Sequence, residues 1–522
     1  MSQRKVLLIG LSLWVIGALA CGAPPKSLQQ QSQPGEQLRP QATAAAAAAP
    51  EFESMAPPLE PPNDEAFDAM FFESYGVNPF VDTEDDHLST FALDVDTGSY
   101  TIARRYLNEG QLPPDEAVRV EEFVNYFDQD YDYPSEGQAF AVYVDGSPFP
   151  FAETERYRMM RVGIQGYAVA PEDRKDVSLT FVIDVSGSMS REDRLELVKR
   201  SLQLLVEQLR PADSVGIVVY GSDSRVVLEP TSGDRKDAIL EAIYGLEPEG
   251  ATNAEAGLRL AYERANAAFI AGGINRVILC SDGVANIGQT GAGSIWEVIK
   301  GYASEGITLT AVGFGMGNYN DVLMEQLADN GDGFYAYVDT LREARRLFVE
   351  NLTSTLQAIA MDAKVQVDFN PEVVARYRLV GFENRAIADE QFRDDTVDAG
   401  EIGAGHNVTA LYEIKLHPEA VGRIGTVHLR WEDPDTHEVA EISETFDSGE
   451  MTAAFSSAAP RFQWDIVVAE FAEILRNSYW AEGSTLGAVL EEAQAVSQLL
   501  ADDADVAEFV DLVRTANSLA TD

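Results

Sequence analysis

Cysteine and histidine are both scarce in this 522-residue sequence. The only cysteines are Cys21 and Cys280, so Cys280 has no partner within the chain if Cys21 serves another purpose. Cys280 lies in an apolar stretch, which predicts a buried structural thiol. The five histidines form no pair with the spacing of metal ligands, and each is predicted to lie at the surface or in a turn: His87, His406, His417, His428 and His437.

Basic residues are also few. The 38 lysines and arginines face 86 aspartates and glutamates, which gives a net charge of −48. Nucleic acid is therefore excluded as a partner, because binding phosphates requires a basic face, and charge alone will not hold the chain on an anionic membrane. Metal cations and basic patches on other proteins are the partners that this charge favours. The alternative is that the acidic surface only keeps the chain soluble.

The apolar run over residues 6–19 is too short for a stable transmembrane helix. It follows Arg4 and Lys5, as in a signal peptide. The run ends in Ala-Leu-Ala-Cys-Gly at residues 18–22, which resembles a bacterial lipobox, although Ala18 stands where leucine is usual. We therefore expect lipidation at Cys21 and a cell-envelope location, with Gly22 favouring the outer membrane. Ordinary cleavage that leaves a free Cys21 is the alternative.

The chain after the signal peptide divides by composition. Residues 21–79 include a Gln-, Pro- and Ala-rich stretch that predicts a disordered tether. Residues 80–174 predict a strand, two helices and two further strands. Residues 357–450 alternate as in antiparallel strands, and residues 451–522 predict helices. Because the earlier strands are too few to close a core, we expect residues 140–164 to pair with residues 363–446 in one β-sandwich.

Residues 175–356 alternate apolar strands with amphipathic helices. Short, continuously apolar runs at 177–183, 214–220, 276–280 and 308–313 are typical of strands buried on both faces. One intervening helix, predicted over residues 194–209, has an apolar face. This alternation predicts an α/β fold, with a mostly parallel sheet and helices on both faces, inserted between the two flanks.

Polar residues follow the strands of this α/β segment where a site is expected. Asp184, Ser186 and Ser188 come directly after the first strand, with two-residue spacing. Thr252 precedes a predicted helix, and Asp282 follows another strand. Carboxylate and hydroxyl oxygens of this kind suit Mg²⁺ or Mn²⁺. The sequence therefore predicts a divalent-metal site built from these five residues.

The five residues resemble the metal-ion-dependent adhesion site (MIDAS) of von Willebrand factor type A (VWA) domains. That motif is D-x-S-x-S, then threonine, then Asp-Gly, and all parts occur here in order. Residues 250–253 read Gly-Ala-Thr-Asn where Gly-Gly-Thr-Asn is more common, which changes no ligand. The flanks, at residues 89–96, 111–114, 118–127 and 369–382, are similar to those of a family of bacterial VWA lipoproteins.

The resemblance implies how the site works. Both serines would coordinate the metal directly, Thr252 would coordinate when a ligand is bound, and the aspartates would bind directly or through water. The remaining position would accept an Asp or Glu carboxylate from a partner protein. We therefore expect a non-enzymatic, metal-dependent adhesion or assembly module. The alternatives are an envelope-assembly protein in which the metal only stabilises the fold, and a metal-dependent hydrolase.

Residues 96–99 read Asp-Thr-Gly-Ser, the active-site motif of aspartic proteases, and residues 447–449 offer a second aspartate. Such an enzyme needs two carboxylates that share a proton in one cleft. The residues after Ser99 predict a helix, where a protease would need a strand. We therefore interpret Asp96 and Thr97 as capping residues of that helix.

Overall fold

The computed structural model describes residues 72–521, except 153, 155, 192–193, 284–291, 316–319 and the side chains of 292–294. The predicted signal peptide, the lipidation site at Cys21 and most of the predicted tether lie outside the described residues. No helix in the described part of the chain combines the length and apolarity needed to cross a membrane.

The described chain begins with a flank of short elements. Asn78 anchors its start by donating through Nδ2 to the Leu379 and Gly381 carbonyl oxygens, at 3.2 and 2.8 Å. The elements are β1 (Val81–Asp82), β2 (Leu88–Ala92), α1 (Gly98–Asn108), α2 (Val120–Val124), β3 (Phe140–Pro148) and β4 (Tyr157–Gly166).

An α/β domain follows. Its strands are β5 (Val177–Asp184), β6 (Ser214–Tyr220), β7 (Ser224–Ser232), β8 (Ile274–Ser281), β9 (Ile307–Phe314) and β10 (Tyr335–Val338). Its helices are α3 (Leu195–Gln208), α4 (Lys236–Tyr244), α5 (Ala254–Ala267), α6 (Ala292–Ser304), α7 (Asp321–Asp329), α8 (Leu341–Arg345), a π turn at Arg346–Glu350, and α9 (Leu352–Leu356).

These six strands form one sheet in the order β10-β9-β8-β5-β6-β7. All neighbours are parallel except β7, which pairs antiparallel with β6 at the edge. All eight residues of β5 are buried, because helices cover both faces of the sheet. Leu179, Phe181 and Ile183 pack towards α3 and α4, whereas Val182 packs towards α5. The predicted α/β fold is confirmed.

The remaining strands belong to the later flank. They are β11 (Ala358–Phe369), β12 (Val374–Val380), β13 (Gly400–Gly403), β14 (Asn407–Leu416), β15 (Arg423–Glu432) and β16 (Val439–Asp447). One sheet has the order β1-β12-β14-β4-β3; the other has the order β13-β11-β15-β16, and β2 also pairs with β11. The pairing of β4 with β14 confirms the prediction that the two flanks share one sandwich.

The α/β domain is thus inserted between two halves of a sandwich. Its two ends meet, because the Lys175 amide donates to Gln357 Oε1 at 3.1 Å, 182 residues away. The helices α10 (Pro460–Leu475), α11 (Leu486–Ser497) and α12 (Ala504–Thr521) complete the described chain. With α1 and α2 they form a helical core around Trp464 and Phe509, packed against Met159 of β4 and Leu411 of β14.

The prediction that Asp96 and Thr97 cap α1 was wrong. Thr97 occupies the N-cap position, but its side chain makes no capping hydrogen bond. Asp96 Oδ1 instead accepts a hydrogen bond from the Tyr335 amide at the edge of the α/β sheet, at 3.0 Å. The Glu122 carboxylate accepts from the Ser99 amide in the first turn, at 2.7 Å. The start of α1 is therefore satisfied by α2, whereas Asp96 ties the flank to β10.

Candidate metal centre

Two predicted ligands lie at the same edge of the α/β sheet. Asp184 is the last residue of β5, and Asp282 directly follows β8. These strands are parallel neighbours, with Ile183 opposite Cys280, so their carboxyl ends lie side by side. The chain leaves β5 for β6 on one side and later returns to β8 on the other. Asp184 therefore stands at the topological switch point of the sheet, where ligands bind in folds of this class.

The turn after β5 brings both serines to this point. The Ser186 amide donates to Asp184 Oδ1 at 2.7 Å, which fixes the direction of the turn. The Ser186 and Ser188 hydroxyls are hydrogen-bonded to each other at 2.9 Å, and Ser188 Oγ donates to Asp282 Oδ1 at 3.1 Å. Four of the five predicted ligands are therefore linked by their oxygens in one group.

The Asp184 carboxylate is held firmly inside the protein. It is fully buried, and its Oδ2 accepts a hydrogen bond from Ser281 Oγ at 3.0 Å. Burial, followed by the nearby Asp282 charge, raises the pKa of Asp184 to about 6. Burial also raises the pKa of Asp282, although Arg194 opposes this effect. Two buried carboxylates in proximity are costly unless a positive charge lies between or beside them.

Thr252 lies on an adjacent loop, half-buried, just before α5. This loop is joined to the first one, because the Gly187 amide donates to the Gly250 carbonyl oxygen at 3.1 Å. Gly250 has a φ of 65°, and a Cβ there would lie 1.8 Å from Ser222 Oγ, so only glycine fits. Asn253 accepts from the Ala256 amide and caps α5. The structure therefore places Thr252 beside the Asp184–Ser188 turn, as the sequence predicted.

Arg194 is a member of the site that the sequence analysis missed. Its Nη1 donates to Asp282 Oδ2 and to the Ser188 carbonyl oxygen, the latter at 3.1 Å. It occupies the N-cap position of α3, where serine, threonine, aspartate or asparagine is usual and arginine caps nothing. That mismatch between residue and position is the signal that could have indicated its role.

The donor set fits a hard divalent cation. Every side chain that the turn and Asp282 present is an oxygen donor, namely two carboxylates and two hydroxyls, and Mg²⁺ and Mn²⁺ prefer such ligands. A cation here would offset the two buried carboxylates, which burial alone disfavours. The residues that would hold it are Asp184, Ser186, Ser188 and Asp282, with Thr252 on the adjoining loop.

A second acidic group lies elsewhere. The carboxylate oxygens of Asp332, Asp398 and Glu401 lie within 4.8 Å of one another. Asp332 precedes β10, so it stands at the opposite edge of the parallel sheet from Asp184. Burial raises the pKa of Asp332 to about 6, and Asp398 and Asp362 raise it further. This group is separate from the predicted metal site.

Comparisons with known families agree with this geometry. The family model for the von Willebrand factor type A domain matches residues 178–351, which span β5 to the end of the inserted domain. A model described as von Willebrand factor matches residues 66–160. The chain is therefore a bacterial VWA-domain protein. Its C-terminal part is of the YfbK type, because the model "Uncharacterized protein YfbK, C-terminal" matches residues 354–519.

Three similar proteins extend the comparison. YfbK of Escherichia coli (strain K12) is 42% identical over 353 residues, which cover 66% of this chain and 61% of YfbK. The chain thus spans about three fifths of that relative's length. Protein sll0103 of Synechocystis is 23% identical over 295 residues, or 55% of this chain and 69% of that protein. The solved "von Willebrand factor type A from Catenulispora acidiphila" has a TM-score of 0.42 at 15% identity, covering 71% of this chain and 89% of that one.

Proposed function

We propose that this protein is a metal-dependent protein-binding module of the bacterial cell envelope. One observation carries the proposal: the oxygens of Asp184, Ser186, Ser188 and Asp282 are gathered at the switch point of a VWA-type sheet. In the proposed site Asp184, Ser186, Ser188, Thr252 and Asp282 hold Mg²⁺ or Mn²⁺. The metal supplies a Lewis-acidic position that a carboxylate of a partner protein fills.

The surface around the donors supports access by a partner. Gly187 and Ala251 are exposed, and Ser188 and Thr252 are half-buried, so the outer side of the group borders solvent. Asp184 and Asp282 lie beneath them and are buried. A partner Asp or Glu would approach over the glycine-rich turns, where no bulky side chain of these two loops blocks it.

We further propose that a lipid on Cys21 anchors the protein to the membrane, most simply the outer membrane. The anchor is then the sole membrane contact, and the tether of residues 21–79 carries the folded part away from the lipid. The net charge of −48 argues against nucleic acid as a partner and favours a protein surface with basic patches around the bound acidic residue.

Crosslinked pull-down from the native envelope tests the proposal. The wild-type protein should capture a partner in Mg²⁺ and lose it in EDTA, and Asp184→Ala should fail to capture it in either condition. Asp332→Asn is the matched control, since it removes a carboxylate at the opposite edge of the same sheet. A partner captured equally with and without chelator contradicts the adhesion function.

A second candidate is an envelope-assembly role in which the metal only stabilises the fold. It is favoured by the burial of Asp184 and Asp282, which are 0% and 4% exposed. In that case Mg²⁺ raises the melting temperature, but every interaction survives EDTA. We propose binding rather than hydrolysis, because both carboxylates near the serines serve as metal ligands in this site and neither is left as a general base.

A further inference from the structure

Arg194 contacts only one side of the Asp282 carboxylate. Its guanidinium donates to Asp282 Oδ2, whereas Oδ1 accepts from the Ser188 hydroxyl and so faces the group of oxygens. The second hydrogen bond of Arg194 goes to the main-chain oxygen of Ser188, not to the serine hydroxyls. Arg194 therefore lies behind Asp282, and its charge reaches the site through that carboxylate.

The place of this guanidinium is built into the fold. Arg194 is 2% exposed, and its side chain passes over Gly315 at the end of β9. A Cβ at residue 315 would lie 2.5 Å from Arg194 Cγ, and the φ of 79° there also favours glycine. The Gly315 carbonyl oxygen accepts from the Tyr337 hydroxyl at 2.8 Å, which fixes the loop. A buried arginine held in this way is not a surface charge that happens to fold back.

The charges of the site explain why an arginine is needed there. A divalent cation bound by two carboxylates is neutral, so a further carboxylate from a partner would leave a negative charge in a buried site. Since this proposal rests on the proposed function, it concerns that same site. We propose that Arg194 is a specificity-determining residue that cancels the charge of Asp282, so that the metal-loaded site carries a net positive charge and selects an anionic partner group.

This role has two opposite consequences. A positive charge behind Asp282 repels the metal, so Arg194 lowers metal affinity below what two uncompensated carboxylates would give. The same charge attracts the partner carboxylate, so Arg194 raises its affinity. A residue that merely supported the loops would change both affinities in the same direction, because a loosened site binds every ligand less well.

The experiment measures both affinities in the purified full-length protein. Titration calorimetry follows Mg²⁺ binding, and water-proton relaxation with bound Mn²⁺ follows displacement of metal-bound water by acetate, with acetamide as the neutral control. Arg194→Met should bind Mg²⁺ more tightly and acetate more weakly, each by about tenfold. Arg194→Gln, which can still hydrogen-bond Asp282, should behave like Arg194→Met, whereas Arg194→Lys should stay close to the wild type.

Each result decides between the two proposals. A wild type that binds neither Mg²⁺ nor Mn²⁺ contradicts the proposed function itself. A wild type that binds metal and acetate, with variants in which both affinities fall together or neither changes, overturns the role of Arg194 alone. If Arg194→Met does not fold, as judged by circular dichroism, the comparison of Arg194→Gln with Arg194→Lys still decides, because these two differ in charge while both retain a donor.

Discussion

The Ser188 hydroxyl donates a 3.1 Å hydrogen bond to Asp282 Oδ1, across 94 residues of sequence. The other carboxylate oxygen of Asp282 accepts from Arg194, so both of its oxygens are held before any ligand arrives. Asp184 is held in the same way, by the Ser186 amide and by the Ser281 hydroxyl. A site fixed at this many points binds with little loss of side-chain freedom, and substitutions in it should have separable effects.

Asp184→Ala should abolish stabilisation by metal without weakening the metal-free protein. A ligand that binds only the folded state stabilises it by RT ln(1 + [L]/Kd), or about 2.7 kcal/mol at a hundredfold excess over Kd. Removing one of two buried, mutually repelling carboxylates offsets its own loss, so the melting temperature in EDTA should equal or exceed that of the wild type. Scanning calorimetry in Mg²⁺ and in EDTA measures both. Identical wild-type melts in the two buffers contradict a metal at this site.

Thr252→Ala and Ser188→Ala should separate the two kinds of binding. Ser188 contacts both Ser186 and Asp282, so its loss should weaken metal affinity, and carboxylate binding with it. Thr252 lies on the second loop, where the proposed contact forms only with a ligand present. Thr252→Ala should therefore keep most of the affinity for Mg²⁺ and lose most of the affinity for acetate. Equal losses of metal affinity in the two variants would show that this division is wrong.

Arg104→Met should destabilise the whole described fold. Arg104 is buried and contacts Asp339 at 2.8 Å, Glu343 at 2.9 Å and Tyr126 at 2.7 Å, so it links the flank to the inserted domain. Removing it leaves two carboxylates buried without their cation, which typically costs about 3–5 kcal/mol. Denaturant unfolding gives the difference in free energy.

Arg393→Met is the matched control for that measurement. Arg393 pairs with Glu441, but its side chain is 60% exposed. Breaking an exposed pair should cost at most about 1 kcal/mol. Comparable losses for both variants would mean that the pairs around Arg104 contribute no more than a surface contact.

Stability should rise as the pH falls from about 8 to about 5. Burial raises the pKa of Glu470 to about 7, and Glu473 and Glu413 raise it further, whereas an unfolded glutamate titrates near about 4.3. The folded state therefore holds the proton more tightly, and this contribution is lost as the pH rises through 7. Burial raises the pKa of Asp465 to about 6, which acts in the same direction. Glu470→Gln should be more stable than the wild type at pH 8, with a smaller difference at pH 5.

Glu491→Gln serves as the control for that series, since Glu491 is exposed on α11. Melting curves of the three proteins between pH 5 and pH 8 measure the slopes. A slope for Glu470→Gln as steep as that of the wild type would assign the pH dependence to other buried carboxylates.

Cys21→Ser should release the protein from the membrane. Acyl burial is the single membrane contact that we propose, so the variant should appear in the soluble periplasmic fraction or as unprocessed precursor. Fractionation with immunoblotting distinguishes these forms. Mature protein that stays in the membrane fraction after this change is incompatible with a lipid anchor at residue 21.

The sequence predicted the parts of the fold and site that follow from local pattern. Continuously apolar runs located β5, β6, β8 and β9, because strands buried on both faces leave that signature. The D-x-S-x-S spacing located Asp184, Ser186 and Ser188, since one tight turn brings all three together. Burial of Cys280 also followed from its apolar neighbours and is confirmed.

What the sequence could not show depends on contacts between distant residues. Arg194 meets Asp282 across 88 residues, and nothing in the local pattern distinguishes it from a surface arginine except its poor fit as a helix cap. Asp96 precedes a helix and so resembles a cap, but the amide of Tyr335, 239 residues later, takes its carboxylate. Local rules assign such polar residues to solvent or to caps because they ignore the partner that tertiary packing supplies.

The contact between Lys175 and Gln357 bears on how the chain folds during synthesis. Strand β4 pairs with β14, and Lys415 donates to the Tyr157 hydroxyl from 258 residues away, so the sandwich cannot close until long after its first half leaves the ribosome. Closing a loop of that length freely would be slow and would leave strand edges exposed meanwhile. The inserted domain is synthesised in this interval and folds from its own strands and helices. Once folded, it holds its two ends 3.1 Å apart at Lys175 and Gln357, so only a short stretch of chain then separates the two halves of the sandwich.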